Sequence, residues 1–252
     1  MKWIGIILCI LICLWASSGL VEDLPRILQG IPHAIDYILG MWPPDPTILP
    51  ELIKPLIETI QIAIVGTVFA ALISVPLSFL AARNTTPNIS LYLLSKGGVN
   101  FLRSIPTLLW AILFVSFVGL GPLAGVFAIV CHCVGTLGKY FSEAIESIGP
   151  NVQEVIESMR TEGASEPQTM RYGLLPALAP LFTSYILYYL ESNIRAATVL
   201  GLVGAGGIGL YLTQTIRLFK RHETLTVVLV ILGVVVVVDS MSRLIRSKLI
   251  DV

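Results

Sequence analysis

Apolar residues run along this chain in stretches long enough to cross a bilayer, separated by short polar punctuation. Residues 56–82, 102–118, 123–137 (extended past Lys139 to Ile148), 174–190 and 224–238 each read as a spanning helix. Residues 3–15, behind Lys2, supply a sixth apolar stretch. Its charged start, apolar core and Ala16-Ser17-Ser18-Gly19 also fit a cleaved signal peptide. The preferred reading is a retained helix within residues 1–21.

Leu24, Ile27, Leu28, Ile31, Ile35, Ile38, Leu39 and Trp42 then recur at helical spacing with one wet face. Such a helix is too polar to span and should lie in the interface plane of a segment covering residues 22–54. Trp42-Pro43-Pro44-Asp45-Pro46 ends it, because successive prolines cannot continue a helix. Past Arg83-Asn84 a polar loop runs to Lys96, and Arg103-Ser104-Ile105-Pro106 opens the next span. Gly119-Leu120-Gly121-Pro122 makes a tight turn, and Gly149-Pro150 closes the helix before it.

The longest polar interruption in the second half runs over residues 157–176, and the loop built around it is set at 151–173. Asn151 with Glu154, and Ser165 with Gln168, have capping-box spacing, so two short helices are expected with a bend at Gly163. Val152, Val155, Ile156 and Met159 place an apolar stripe on the first, suited to a groove on a partner. Residues 196–212 carry glycines at 201, 204, 206, 207 and 209, which weaken a lipid-facing helix. A glycine-rich hairpin is therefore expected there in preference to a seventh span. With six spans, ten basic residues lie inside (Lys2, Arg83, Lys96, Arg103, Lys139, Arg160, Arg171, Arg243, Arg246, Lys248) and six outside (Arg26, Lys54, Arg195, Arg217, Lys220, Arg221). That asymmetry puts both termini and the 151–173 loop in the cytoplasm, and the hairpin on the periplasmic side.

Composition agrees: 55% of the 252 residues are hydrophobic and 13% charged, about half the charge of a soluble domain. Sixteen basic and sixteen acidic residues balance, so charge gives no argument for nucleic acid. Cys9, Cys13, Cys131 and Cys133 all lie in apolar runs and form no disulfide framework. Cys131-His132-Cys133 cannot converge on one metal from a helix, where neighbours point about 100° apart. Gly204-Ala205-Gly206-Gly207-Ile208-Gly209 matches a dinucleotide fingerprint in letters only, since no βαβ unit surrounds it. Its glycines instead suit irregular backbone at membrane depth that lets N–H groups approach an anion. Glu191 and Arg195, four apart, can pair beside it as a gate or path lining, with Asn193 and Arg195 as donors to an oxyanion. No P-loop occurs, so this chain cannot hydrolyse ATP by one.

Glu157, Gly163 and Leu175-Pro176 resemble the EAA loop of ABC importer permeases, with Ser158-Met159 in place of two alanines and Gly173 in place of isoleucine. The run from Glu191 to Gly209 is similar, almost residue for residue, to the phosphonate-transporter permease family. Arg103-Ser104-Ile105-Pro106-Thr107, Gly119-Leu120-Gly121-Pro122 and His132 also resemble that family, and the likeness covers residues 50–252. It implies an all-α polytopic bundle: a MetI-like core of five helices plus one N-terminal helix, with the permease domain at 55–252. It also implies a homodimer working with two cytosolic ATPase subunits, which carry the ATP and magnesium, and a periplasmic solute-binding protein.

On that resemblance Glu157, Arg160, Gly163, Leu175 and Pro176 would couple to the ATPases. Glu191, Ser192, Asn193, Arg195, Gly204, Gly206, Gly207, Gly209, His132 and Arg103 would line or gate the path. The cargo expected is a small phosphorus oxyanion (phosphonate, phosphite or phosphate), imported across the bacterial inner membrane. Three rivals stand beside this reading: a permease for another solute such as methionine, an intramembrane enzyme around Cys131, His132 and Glu191, and a membrane scaffold.

Overall fold

A computed structural model describes residues 2–250, and among them every regular element is helical. The first, α1 (Lys2–Leu39), is one continuous helix with Pro25 and Pro32 inside it. This replaces the two-part reading of a span to residue 21 followed by a separate interfacial helix. Glu22 and Asp23 interrupt apolarity but not helicity, so the change of surroundings needs no change of backbone. The helix end is tied to the start of α10 (Arg221–Ile250), where Arg221 stacks over the Tyr37 ring at 4.9 Å. His222 Nδ1 reaches the Pro43 carbonyl at 2.8 Å, and Thr226 donates to the Asp45 carbonyl at 2.9 Å.

Asp45 accepts from the Thr47 N–H at 2.9 Å and from its hydroxyl at 2.6 Å, which starts the turn leading into α2 (Leu49–Ala81). On α2, Ala63, Gly66, Thr67, Ala70 and Ser74 recur at helical spacing and are buried against α5 (Pro122–Glu146). Small side chains let two membrane helices approach closely and gain dispersion contacts where no hydrophobic drive separates protein from lipid. A Cβ on Gly66 would stand 2.6 Å from Ile129 Cγ2, so the contact needs glycine there. Phe141 on α5 stacks at 4.1 Å on Phe182 of α8 (Leu175–Leu200) and completes the core. The opposite face of α2 exposes Val68, Phe69, Leu72 and Ile73, the side a bilayer would cover.

The expected span over 102–118 is broken. α3 (Ile89–Ser104) starts inside the expected polar loop, with Asn88 accepting from the Leu91 N–H at 2.8 Å. It meets α4 (Thr107–Val118) at an angle of 89° across Ile105-Pro106. Proline removes an N–H and disfavours helical backbone in the residue before it, and Ile105 is accordingly extended.

Gly149 and Pro150 start a helix and do not end one: α5 stops at Glu146, and α6 (Pro150–Thr161) has proline in its first turn, where its missing N–H costs nothing. The helix thus begins one residue before the expected cap at Asn151, whose side chain lies outside the described residues. α7 (Glu166–Thr169) passes through a π-turn, Met170–Leu174, into α8. α8 absorbs residues 196–200 of the expected hairpin; a tight turn at Gly201–Val203 then leads to α9 (Ile208–Arg217). Among the described residues four helical stretches are long and apolar enough to cross a membrane, and the bent pair α3–α4 would make a fifth. Gly5–Ser17 of α1 is apolar but shorter.

Candidate functional site

The 151–173 loop folds as two helices around Gly163, whose φ of +92° suits glycine. Its N–H bonds to the Arg160 carbonyl at 3.0 Å, and the Ala164 N–H to that of Met159 at 2.9 Å, the pair of reversed bonds that closes a helix through a left-handed glycine. Gln168 Oε1 accepts from the Ser165 N–H at 2.8 Å and starts α7. Arg160 reaches back across the bend to Glu166 at 2.8 Å. Glu157 and Arg160 rim a polar cavity of about 280 Å³ that also touches Asn84 and Thr85 at the end of α2. Leu175 packs on the core and Pro176 is exposed at the start of α8.

The apolar stripe on α6 is divided. Val155 is exposed, whereas Ile156 and Met159 turn onto the chain's own Gly173. A Cβ on Gly173 would lie 3.0 Å from Met159 Sδ, so the two departures from the EAA pattern face each other. A large side chain at 159 and none at 173 fill one shared space.

Asn193 lies in the core between three helices. It donates to Thr67 Oγ1 of α2 at 2.9 Å and sits 3.0 Å from Cys133 Sγ of α5, at 4% exposure. This one amide thus staples α2, α5 and α8, and it faces no open path in this arrangement. Glu191 is buried and pairs with Arg195 at 2.8 Å, while the Arg195 side chain is 46% exposed. Ser192 between them is half-buried.

His132 of α5 and Arg103 of α3 both lie near the α3–α4 elbow, each against a different part of it. The break leaves carbonyls without helical partners, and His132 Nδ1 stands 3.0 Å from that of Ile105. A carbonyl only accepts, so Nδ1 carries the proton there. Trp110 Nε1 donates to the Leu102 carbonyl at 3.3 Å. Gly135 of α5 lies against the Arg103 backbone with no room for a Cβ, while the Arg103 side chain is exposed. Cys133 points instead to Asn193, so the Cys-His-Cys run diverges.

In the glycine-rich turn, Gly204, Gly206 and Gly207 take φ of +86°, +80° and +73°. Gly209 packs on the Thr198 carbonyl, bringing α9 back against the end of α8. The Gly204 carbonyl accepts from Gly121 at 2.9 Å. The first N–H groups of α9 are taken by α2: Gly207 donates to Glu58 Oε1 at 3.0 Å and Ile208 to Thr59 Oγ1 at 2.8 Å. Sequence reasoning missed Glu58 and Thr59. An ionisable residue within an expected span was the available signal.

Residues 74–251 match the family model described as binding-protein-dependent transport system inner membrane component. A phosphite transport system permease protein of Stutzerimonas stutzeri is 38% identical over 225 residues, 89% of this chain and 81% of that one. A phosphate-import permease protein of Mycolicibacterium smegmatis is 34% identical over 93% of this chain and 44% of its own length. Among solved structures, an inward-facing MetNI methionine ABC transporter aligns with TM-score 0.70 at 22% identity, covering 81% of this chain and 99% of that one, a likeness of fold alone. A bundle of apolar helices with a capped two-helix loop, matched by that family model over most of its length, belongs to the binding-protein-dependent transport system inner membrane components, multi-pass ABC importer permeases that work with binding-protein and ATPase partners and are not themselves enzymes.

Proposed function

We propose that the chain imports a small phosphorus oxyanion, phosphite, phosphonate or phosphate, as one half of a homodimeric permease. The observation that carries the cargo class is the 38% identity to a phosphite permease across 89% of the chain. Two ATPase subunits engage the 151–173 loop from the cytoplasm, with Glu157, Arg160, Gly163, Leu175 and Pro176 transmitting their closure. A solute-binding protein delivers cargo from the periplasm. The permease domain covers 55–252, spans the inner membrane with both termini inside, and turns its glycine hairpin to the periplasm.

The path runs past Arg103, His132, Glu191, Ser192, Arg195 and the glycines at 204, 206, 207 and 209. Asn193 joins it when the three helices it staples part. The test is uptake of labelled phosphite by cells lacking their own phosphite, phosphonate and phosphate importers and supplied with this chain and its partner subunits. Competition by unlabelled phosphite, phosphonate or phosphate, and none by methionine, is expected. Competition by methionine alone would replace this cargo by the rival one.

A further inference from the structure

Glu58 belongs to none of the roles above. It lies within a helix long and apolar enough to span, and its carboxylate is half-buried. An ionisable group in such a place is costly unless it is held, and Glu58 is held by the glycine turn 149 residues further along the chain. Glu58 Oε1 accepts from the Gly207 N–H at 3.0 Å, and its neighbour Thr59 accepts from Ile208 at 2.8 Å. The fit excludes side chains on the other partner: a Cβ on Gly206 would meet Glu58 Oε1 at 2.5 Å, and one on Gly207 would meet Thr59 Oγ1 at 2.5 Å. Beside them the Gly204 carbonyl is bonded to Gly121 in the α4–α5 turn.

Three hydrogen bonds thus tie the 204–208 turn to elements distant along the chain, and two of the three converge on one turn of α2. The glycines at 206 and 207 bring no side chain to the joint, so the carboxylate and hydroxyl of α2 reach the backbone directly, while Ile208 beside them is fully buried with Ile48, Leu52 and Val227. We propose that Glu58 is the latch of the hairpin gate: its carboxylate, with the Thr59 hydroxyl, holds the turn against α2 in the resting permease and lets go when the gate moves. The inference rests on the permease reading and on the hairpin being a gate; it is independent of which oxyanion is carried.

The test is amide hydrogen exchange on the whole permease–ATPase complex in lipid nanodiscs, in the resting state and trapped with ATP, magnesium and vanadate. Exchange at Gly207 and Ile208 should rise about tenfold on trapping, the factor for one charge-assisted hydrogen bond released. Equal protection in the two states would overturn the latch. Glu58→Ala should show the fast exchange already at rest and a raised basal ATP hydrolysis without binding protein. Glu58→Gln, which keeps an accepting oxygen, should fall between it and the wild type. Wild-type exchange and basal hydrolysis in Glu58→Ala would also overturn it. Vanadate trapping needs no cargo, so failure of phosphite uptake would remove the substrate reading and leave this result standing.

Discussion

Replacing Gly173 with isoleucine should destabilise the loop alone, and replacing Met159 with alanine as well should restore it. A Cβ at 173 would lie 3.0 Å from Met159 Sδ and 3.8 Å from Ile156 Cγ1. The first distance is well inside the optimum of about 3.5–4.0 Å, and isoleucine adds three further carbons on the same side. Overpacking of this kind costs about 1–3 kcal/mol, and methionine's flexible thioether yields, so about 1.5 kcal/mol is expected. Met159→Ala alone opens a half-buried space and should cost about 1 kcal/mol, below the range for fully buried methionine. Independent effects would sum to about 2.5 kcal/mol. If the two side chains share one space, the double variant should sit within about 0.5–1 kcal/mol of wild type, a coupling near 1.5–2 kcal/mol. The assay is the apparent melting temperature of the purified complex, at about 3 °C for each kcal/mol, together with ATP-driven uptake. A double variant melting below both single ones would refute the shared space.

Three further outcomes follow from the same geometry. Glu157→Lys should abolish coupled uptake while the permease still assembles, read as cargo accumulation beside size-exclusion elution; normal uptake would remove the coupling role. His132→Phe leaves the Ile105 carbonyl without its donor at 3.0 Å and should cost about 1–3 kcal/mol, seen as a lower melting temperature that the wild type does not share. The Thr47 hydroxyl and N–H hold the Asp45 carboxyl below its ordinary value. A depressed folded value stabilises above the unfolded pKa of about 3.9 and is lost as pH falls through the lowered one. The gap in melting temperature between wild type and Asp45→Ala should therefore be constant at neutral pH and close only in strong acid.

The helices that sequence reasoning located best are those whose apolar run ends on punctuation with one meaning. Gly163 is such a case, since only a left-handed turn uses it there, and Ser165 with Gln168 is another. Punctuation with two meanings misled. Gly149-Pro150 can end one helix or begin the next, and Pro106 can open a span or break one; neighbouring helices decided both. Asn193 was legible as a residue able to donate, but the side of α8 it occupies depends on Thr67 and Cys133, 126 and 60 residues away. Glu58 was passed over because the run around it is apolar, and its partner becomes visible only when the glycine turn folds back on α2. The glycines themselves marked the turn correctly in kind, while the helix before it ran five residues further than their spacing suggested, through residues 196–200.

The most direct measurement is accumulation of labelled phosphite in proteoliposomes holding this permease with its ATPase and binding protein. The account predicts concentrative uptake that needs ATP and binding protein together, is blocked by unlabelled phosphorus oxyanions and is indifferent to methionine. ATP hydrolysis stimulated by the binding protein without phosphorus oxyanion accumulation, or uptake of methionine in its place, would contradict it.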